Sequence, residues 1–152
     1  MNELVLALGW TGIYSPIALG AIGSAMGCGI AGQAGIGAML ETESGYGRYI
    51  GVTAFPSTFV IYGIVVMFTL NRQVMPENAG ALFGIGLFAG LALLYAGIWQ
   101  GRACASAINA SKEKPEIFGL SLAPAAMIEG FAVFAFVFAL VLSAGIPAVG
   151  GS

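Results

Sequence analysis

The sequence predicts an all-α membrane protein with four transmembrane helices, arranged as two tandem helical hairpins. Of the 152 residues, 59% are hydrophobic and only 8% are charged, whereas about 25% of the residues of a soluble domain are charged. The charged residues separate four long apolar runs, and each run exceeds the roughly 20 residues that cross a bilayer as a helix. Because backbone polar groups in lipid must be hydrogen-bonded within their own segment, the runs predict helices rather than irregular chain.

The four apolar runs define the predicted helices, numbered helix 1 to helix 4 along the chain. They cover residues 7–38, 49–71, 79–109 and 117–143. The connections between them, residues 41–48, 71–78 and 110–117, are short. Consecutive helices are therefore expected to be antiparallel neighbours.

The two halves of the chain resemble each other at an offset of 72 residues without a gap. The identical pairs include Gly12 with Gly84, Gly29 with Gly101, and Glu41 with Glu113. The repeat predicts a duplicated hairpin, with the first unit over residues 1–76 and the second over 77–152. Since each unit crosses the membrane an even number of times, the two hairpins should have the same orientation. At this offset Glu129 falls opposite Ser57, so only the second hairpin has the acid.

The basic residues predict how the chain is oriented in the membrane. Arg72 alone marks the connection between helices 2 and 3, and the other basic residues lie near the 1–2 and 3–4 connections: Arg48, Arg102, Lys112 and Lys114. Cytoplasmic loops are enriched in Lys and Arg, so loops 41–48 and 110–117 should be cytoplasmic and both termini outside. The net charge of −2 and the lack of a basic patch argue against a nucleic-acid partner.

Small and bulky residues are distributed differently among the helices. Small residues form helical stripes in helix 1 (Gly20, Ser24, Gly27, Ala31, Gly35, Ala38) and helix 3 (Gly86, Gly90, Gly97, Gly101, Ala105). Helices 2 and 4 carry the aromatic bulk: Phe55, Phe59, Tyr62, Phe68, Phe131, Phe134, Phe136 and Phe138. Stripes of small residues let membrane helices approach closely. They predict a crowded layer and a bulky layer, either packed within one chain or repeated around a closed ring.

A single carboxylate, Glu129, lies within the apolar run of helix 4. Burial in a membrane costs a charged side chain a few kcal/mol and disfavours its charged form. No Lys, Arg or His lies inside a predicted helix at a similar depth, so the partner should be a proton, a metal ion or a basic group on another subunit. This pattern predicts an ion carrier; the alternative is a neutral glutamic acid that hydrogen-bonds helices together.

Three polar side chains are candidates to join Glu129. Thr58 and Tyr62 are four residues apart in helix 2 and share one face, and Gln100 lies in helix 3. Each can contribute to an ion site. For Tyr62 and Gln100 the alternative is an ordinary hydrogen bond between helices.

Two prolines within helices 2 and 4 add candidate oxygen ligands. Pro56 removes the helical hydrogen bond to the carbonyl of Val52, and Pro124 removes the bond to the carbonyl of Leu120. We expect the freed carbonyls to act as oxygen ligands of an ion site. The alternative is that each proline only kinks its helix.

Three stretches, FPSTFVIYG (55–63), AGIWQG (96–101) and AAMIEGFAVFAF (125–136), carry a resemblance that covers nearly the whole chain. With the duplicated layout, the chain resembles the proteolipid of V-type and A/V-type rotary ATPases, the c or K subunit of the rotor ring. The resemblance implies a non-enzymatic subunit of a homo-oligomeric ring in a prokaryotic plasma membrane, with no cofactor. It also implies two partners: an a/I-type stator subunit whose basic residue faces Glu129, and a central-stalk subunit at the cytoplasmic loops.

The resemblance implies an ion site around Glu129 that includes the backbone of Phe55 and the side chains of Thr58, Tyr62 and Gln100. Phe59 stands where sodium-carrying members have glutamine, and a phenyl ring offers no oxygen to a hard cation. The expected ion is therefore H⁺, with Na⁺ as the alternative. If Na⁺ is the coupling ion, its ligands should include Glu129, Gln100 and Thr58.

Two other protein classes also have four membrane helices. Small multidrug exporters carry a membrane glutamate, but they have it in helix 1 and are not duplicated hairpins. Structural tetraspan proteins have no need of a buried acid and carry larger loops. The position of Glu129 and the short connections favour the rotor subunit over both.

Overall fold

The computed structural model describes residues 2–147 and contains four helices that are long and apolar enough to cross a membrane. They are helix 1 (Asn2–Glu41), helix 2 (Tyr46–Leu70), helix 3 (Pro76–Glu113) and helix 4 (Pro115–Ala144). No strand occurs among these residues. The predicted all-α fold is confirmed. Met1 and residues 148–152, which the two predicted hairpins include, lie outside the described residues.

Helices 1 and 3 are longer than predicted. Helix 1 begins at Asn2 and ends at Glu41, so it includes both charged residues that bound its apolar run, Glu3 and Glu41. Helix 3 begins with Pro76, a residue well suited to the first helical position, and continues to Glu113. The predicted connection 110–117 is therefore wrong: only Lys114 separates the helices, since a residue before a proline, here Pro115, disfavours helical geometry.

Helices 2 and 4 are interrupted, whereas the sequence predicted continuous helices. Helix 2 consists of α-helical segments Tyr46–Thr53 and Thr58–Leu70 around a 3-10 turn, Phe55–Ser57. Helix 4 opens with a 3-10 turn, Pro115–Ile117, and a short segment, Phe118–Ser121, before its main α-helix, Ala123–Ala144. The breaks fall at Ala54 and Leu122, two residues before Pro56 and Pro124. Both prolines thus restart a helix instead of bending one.

Helices 1 and 3 pack backbone to backbone through paired glycines. A Cβ on Gly97 would lie 2.5 Å from the carbonyl carbon of Gly23, and one on Gly101 would lie 2.3 Å from the carbonyl oxygen of Gly27. Gly86 meets Gly12 in the same way near the other end of the helices. Because the paired residues ascend together, helices 1 and 3 are parallel, and the two hairpins have the same orientation.

The small-residue stripes are accounted for by packing within one chain. All six stripe residues of helix 1 are buried, as are the four glycines of the helix 3 stripe, while Ala105 is half-buried. Of the two explanations that the sequence left open, the described residues support intramolecular packing.

Helices 2 and 4 form a second layer over helices 1 and 3. Helix 4 packs on helices 3 and 2 and, within residues 2–147, makes no contact with helix 1. Most bulky side chains of this layer point away from the chain, among them Phe68, Phe131, Phe134 and Phe138. Phe59 does not: it is fully buried against Leu93 and Ala132. Phe59 therefore belongs to the interior of the fold, between helices 2, 3 and 4.

Candidate ion-binding site

The carboxylate of Glu129 lies where helices 2, 3 and 4 meet, and it is half-buried. The hydroxyl of Tyr62 in helix 2 donates a hydrogen bond to Oε1 at 2.9 Å. The side-chain amide of Gln100 in helix 3 donates from Nε2 to Oε2 at 2.7 Å. Each carboxylate oxygen therefore has its own donor, and three of the residues predicted from the sequence meet in the structure.

Gln100 is held in one orientation by a second acceptor. Its side chain is completely buried, and Nε2 also donates to the carbonyl oxygen of Ala125 at 3.1 Å. Because a carbonyl can only accept, the amide nitrogen must face Ala125, which fixes the position of the amide oxygen. That oxygen, Oε1, is buried and has no hydrogen-bond partner within residues 2–147. It is the free acceptor beside the carboxylate.

Tyr62 is positioned by aromatic contacts. Its ring stacks on Phe136 at 5.0 Å between centroids and 24° between planes. Phe59 meets the same ring edge-on, at 6.2 Å and 76°. Offset-stacked and edge-to-face pairs are the favoured arrangements of aromatic rings, so the two neighbours hold the hydroxyl towards Glu129.

The carbonyl of Phe55 and the hydroxyl of Thr58 hydrogen-bond to each other rather than to Glu129. Thr58 Oγ1 donates to the Phe55 oxygen at 3.3 Å, and the Thr58 amide donates to the same oxygen. The structure places both residues in the Pro56 turn, one helical turn from Tyr62, without a hydrogen bond to the carboxylate. Their role as ion ligands stays a prediction.

At each proline the preceding turn closes on a different carbonyl from the predicted one. The amide of Ala54 donates to the oxygen of Gly51 at 3.3 Å, and the amide of Leu122 donates to the oxygen of Gly119 at 3.4 Å, so neither bond reaches the carbonyl of Val52 or Leu120. The carbonyl that does reach the site is that of Ala125, next to Pro124, which accepts from Gln100. Pro124 therefore shapes the site indirectly, by setting where the main helix of the fourth span begins.

One supporting residue, Ser24, was not predicted as part of the site. Its hydroxyl in helix 1 accepts a hydrogen bond from the backbone amide of Val60 at 3.0 Å, in the turn that follows Pro56. It anchors the start of the second segment of helix 2, which carries Tyr62. From the sequence, Ser24 was assigned only to the small-residue stripe of helix 1. Its hydroxyl group among glycines was the one available sign of a supporting role.

No positive charge approaches Glu129 within residues 2–147. The single ion pair among them joins Lys112 and Glu41 at 2.7 Å, at the ends of helices 3 and 1. The same residues contain no cluster of three or more His, Cys, Asp or Glu side chains able to hold a metal ion. The carboxylate is therefore bound only by uncharged donors, Tyr62 and Gln100.

Comparison with known proteins identifies the repeat. The ATP synthase C-subunit family matches the chain twice, over residues 11–70 and 83–142. The two matches begin 72 residues apart, which is the offset of the internal repeat. A duplicated unit of this family therefore makes up most of the chain.

Two relatives are similar to this chain over most of its length. The K subunit of the A-type ATP synthase of Methanocaldococcus jannaschii is 37% identical over 137 residues, which cover 88% of this chain and 62% of that protein. The K subunit of the V-type sodium ATPase of Enterococcus hirae is 31% identical over 146 residues, covering 92% and 90%. The chain thus spans less than two thirds of the M. jannaschii protein. It belongs to the ATP synthase C-subunit family, as a duplicated rotor-ring proteolipid of the A/V type.

Proposed function

We propose that each copy of this chain carries one ion on Glu129 as the rotor ring turns. The proposal rests on the surroundings of the Glu129 carboxylate, which lies within a membrane-spanning helix. It accepts hydrogen bonds from two uncharged donors and has no cationic partner within residues 2–147. A carboxylate that holds a proton or a monovalent cation is neutral, and in that neutral state it can face lipid while the ring turns. Tyr62 and Gln100 donate to the ion-free carboxylate, one to each oxygen, and hold it in place for reloading.

The carried ion in this proposal is a proton. Phe59, fully buried beside Tyr62, contributes no oxygen. The Thr58 hydroxyl and the Phe55 carbonyl are engaged with each other. Since hard cations need several oxygen ligands, the described arrangement suits a proton better than a sodium ion.

Sodium is the second candidate because of two observations. The buried Oε1 of Gln100 is an acceptor without a partner in the described part of the chain, and one relative is named a sodium ATPase subunit. A sodium ion would be bound by Glu129, Gln100 and Thr58, whose hydroxyl oxygen keeps its lone pairs while it donates to the Phe55 carbonyl.

The chain is a non-catalytic subunit, so its proposed role depends on partners. We propose that a basic residue of a stator a/I-type subunit faces Glu129 and displaces the ion from it. A central-stalk subunit would bind the connections at residues 42–45 and 114.

These connections would be cytoplasmic and both termini outside, because Arg48, Lys112 and Lys114 lie at one end of the helices and Arg72 at the other. The proposed boundary between the two hairpins lies between residues 76 and 77.

The experiment that tests this proposal is ATP-driven ion pumping by the assembled complex with Glu129→Gln in every copy. The amide keeps the size and polarity of the side chain but cannot bind and release an ion. Pumping should fall to background while the ring still assembles. Glu77→Gln, at an exposed carboxylate in the first turn of helix 3, is the control and should pump normally. Pumping by Glu129→Gln at a substantial fraction of the normal rate would contradict the proposal.

A further inference from the structure

An apolar groove of about 280 Å³ lies between helix 2 and helix 4, at the end of the fold that contains the 1–2 and 3–4 connections. It includes none of the residues that hydrogen-bond to Glu129, although Phe55 belongs both to its wall and to the predicted ion ligands. Its wall consists of Gly51, Val52 and Phe55 from helix 2 and Phe118 and Leu122 from helix 4, and Arg48 stands at its mouth. From Arg48 to Phe55 the groove follows about two helical turns, or roughly 10 Å.

The guanidinium of Arg48 is held in place but has unused hydrogen-bonding capacity. It lies 5.0 Å from the ring centroid of Tyr49 and 5.8 Å from that of Phe118. Nη2 donates to the Tyr49 hydroxyl at 3.2 Å, and this is its only hydrogen bond within residues 2–147, although a guanidinium has five N–H donors. Nε is buried and has no partner among the same residues.

The fixed position of Arg48 follows from the turn before it. Gly45 has a left-handed backbone (φ +85°), and a Cβ there would lie 2.9 Å from Nε of Arg48. The arginine side chain therefore folds back over Gly45, and a larger residue at position 45 would displace the guanidinium. Helix 2 begins next to this turn, at Tyr46, and a helix N-terminus adds to the local positive potential.

No acidic side chain neutralises Arg48 within the described residues. Glu43 in the 1–2 connection and Glu116 at the start of helix 4 are exposed, and neither pairs with it. A cation at the end of an apolar groove fits an amphipathic anion whose charge sits at one end. The two helices that form the groove are long and apolar enough to cross a membrane, so membrane lipids are available to it.

We propose that this groove binds one anionic phospholipid of the adjacent leaflet, with its phosphate on Arg48 and an acyl chain along Gly51, Phe55 and Leu122. Basic pockets between membrane helices are suited to anionic lipid headgroups. A groove of about 280 Å³ that is apolar up to the arginine has room for part of one acyl chain. The bound lipid would seal helix 2 to helix 4 beside the interruptions at Ala54 and Leu122, where the helices are least continuous.

The test is native mass spectrometry of rings released from nanodiscs that contain equal amounts of phosphatidylglycerol and phosphatidylcholine. We expect wild-type rings to retain phosphatidylglycerol at least fivefold over phosphatidylcholine. Arg48→Gln should abolish the preference by removing the charge. Arg102→Gln is the matched control: Arg102 is an exposed arginine that also lies over an aromatic ring, Trp99, at 4.7 Å, but it lines no part of the groove.

A second pair of variants separates lipid binding from folding. Gly51→Leu leaves Arg48 in place and fills the groove, and Gly47→Leu adds the same side chain outside it; a Cβ meets nothing within 4 Å at either glycine. Gly51→Leu should lose the retained lipid and Gly47→Leu should keep it. Equal retention of both lipids by the wild type, or retention unchanged in Arg48→Gln and Gly51→Leu, would overturn the proposal. Crosslinking that places a protein segment in the groove would overturn it as well.

Discussion

At the scale of single residues, Tyr62 and Gln100 both donate to Glu129, but the two side chains are themselves held in different ways. Gln100 is fully buried and fixed by the Ala125 carbonyl, while Tyr62 is held by aromatic contacts and is only half-buried. The hydroxyl of Tyr62 can therefore leave the carboxylate with little rearrangement, and the Gln100 amide cannot. Tyr62 is the better candidate for a donor that changes partner when the ion is loaded or released.

Removing the tyrosine hydroxyl should make the Glu129 carboxyl more reactive. In Tyr62→Phe the ring can keep its contacts with Phe136 and Phe59, but Oε1 loses its donor. A hydrogen bond to a charged group contributes about 1.5 kcal/mol, which corresponds to roughly a tenfold change, so carbodiimide should modify Glu129 about tenfold faster. The labelling rate of purified rings measures this. A rate equal to or below that of the wild type would show that Tyr62 does not act on the carboxylate.

Replacing the buried phenyl ring should change the ion preference. Phe59→Gln places an oxygen next to Tyr62, where the resemblance to sodium-carrying proteolipids implies a ligand. We expect sodium to slow carbodiimide labelling of Glu129 in this variant and to have no effect in the wild type. Phe59→Leu is the control, because it changes the packing without adding an oxygen. If sodium affects Phe59→Gln and Phe59→Leu alike, the missing oxygen is not what determines selectivity.

The residues of the site could be predicted only in part. Glu129, Tyr62 and Gln100 stand out because polar side chains are rare within these apolar runs. Ser24 and Ala125 did not, since their contacts depend on how helices 1 and 3 are set against helices 2 and 4. Phe59 packs with Leu93 of helix 3 and Ala132 of helix 4, and the apolar run of helix 2 does not reveal these contacts.

At the scale of helices, the glycine contacts between helices 1 and 3 set the spacing of the fold. A Cβ on Gly97 would meet three backbone atoms of Gly23 within 2.9 Å, and backbone cannot move aside as a flexible side chain can. These contacts run along both helices, from Gly12 to Gly27 in helix 1. The close approach is therefore a property of the whole pair of helices.

Adding one methyl group at this contact should separate the helices. Gly97→Ala is expected to lower the thermal midpoint of the solubilised ring by several degrees or to prevent its assembly, because overpacking typically costs about 1–3 kcal/mol. Gly84→Ala, in the same helix with nothing within 4 Å of the added Cβ, should be neutral or slightly stabilising. Equal midpoints for the two variants would mean that the glycine contacts do not limit the packing.

The existence and order of the helices followed from the apolar runs, but the ends and interruptions did not. Charged residues marked where the chain leaves the hydrocarbon, and helices 1 and 3 simply continue beyond that point, to Glu41 and Glu113. A proline in a membrane helix can bend it or restart it. The structure shows a restart at both Pro56 and Pro124, with tertiary contacts such as Ser24 to Val60 supporting the broken turn.

At the scale of the whole molecule, the duplication has produced two hairpins with different tasks. Both supply a glycine-rich helix to the shared contact between helices 1 and 3. Only the second supplies the acid, and the first supplies Tyr62 and the Pro56 turn that face it. The proposed ion site is thus built from both halves of the chain, so each copy would contribute one carrier group for four membrane crossings.

The most direct measurement is carbodiimide labelling of purified rings, mapped by mass spectrometry across pH with and without sodium. The reagent attacks protonated, membrane-buried carboxyl groups. We expect labelling confined to Glu129, faster at low pH and unaffected by sodium. Sodium protection would contradict the assignment of the proton as the carried ion. An unreactive Glu129 at every pH would contradict its role as the carrier.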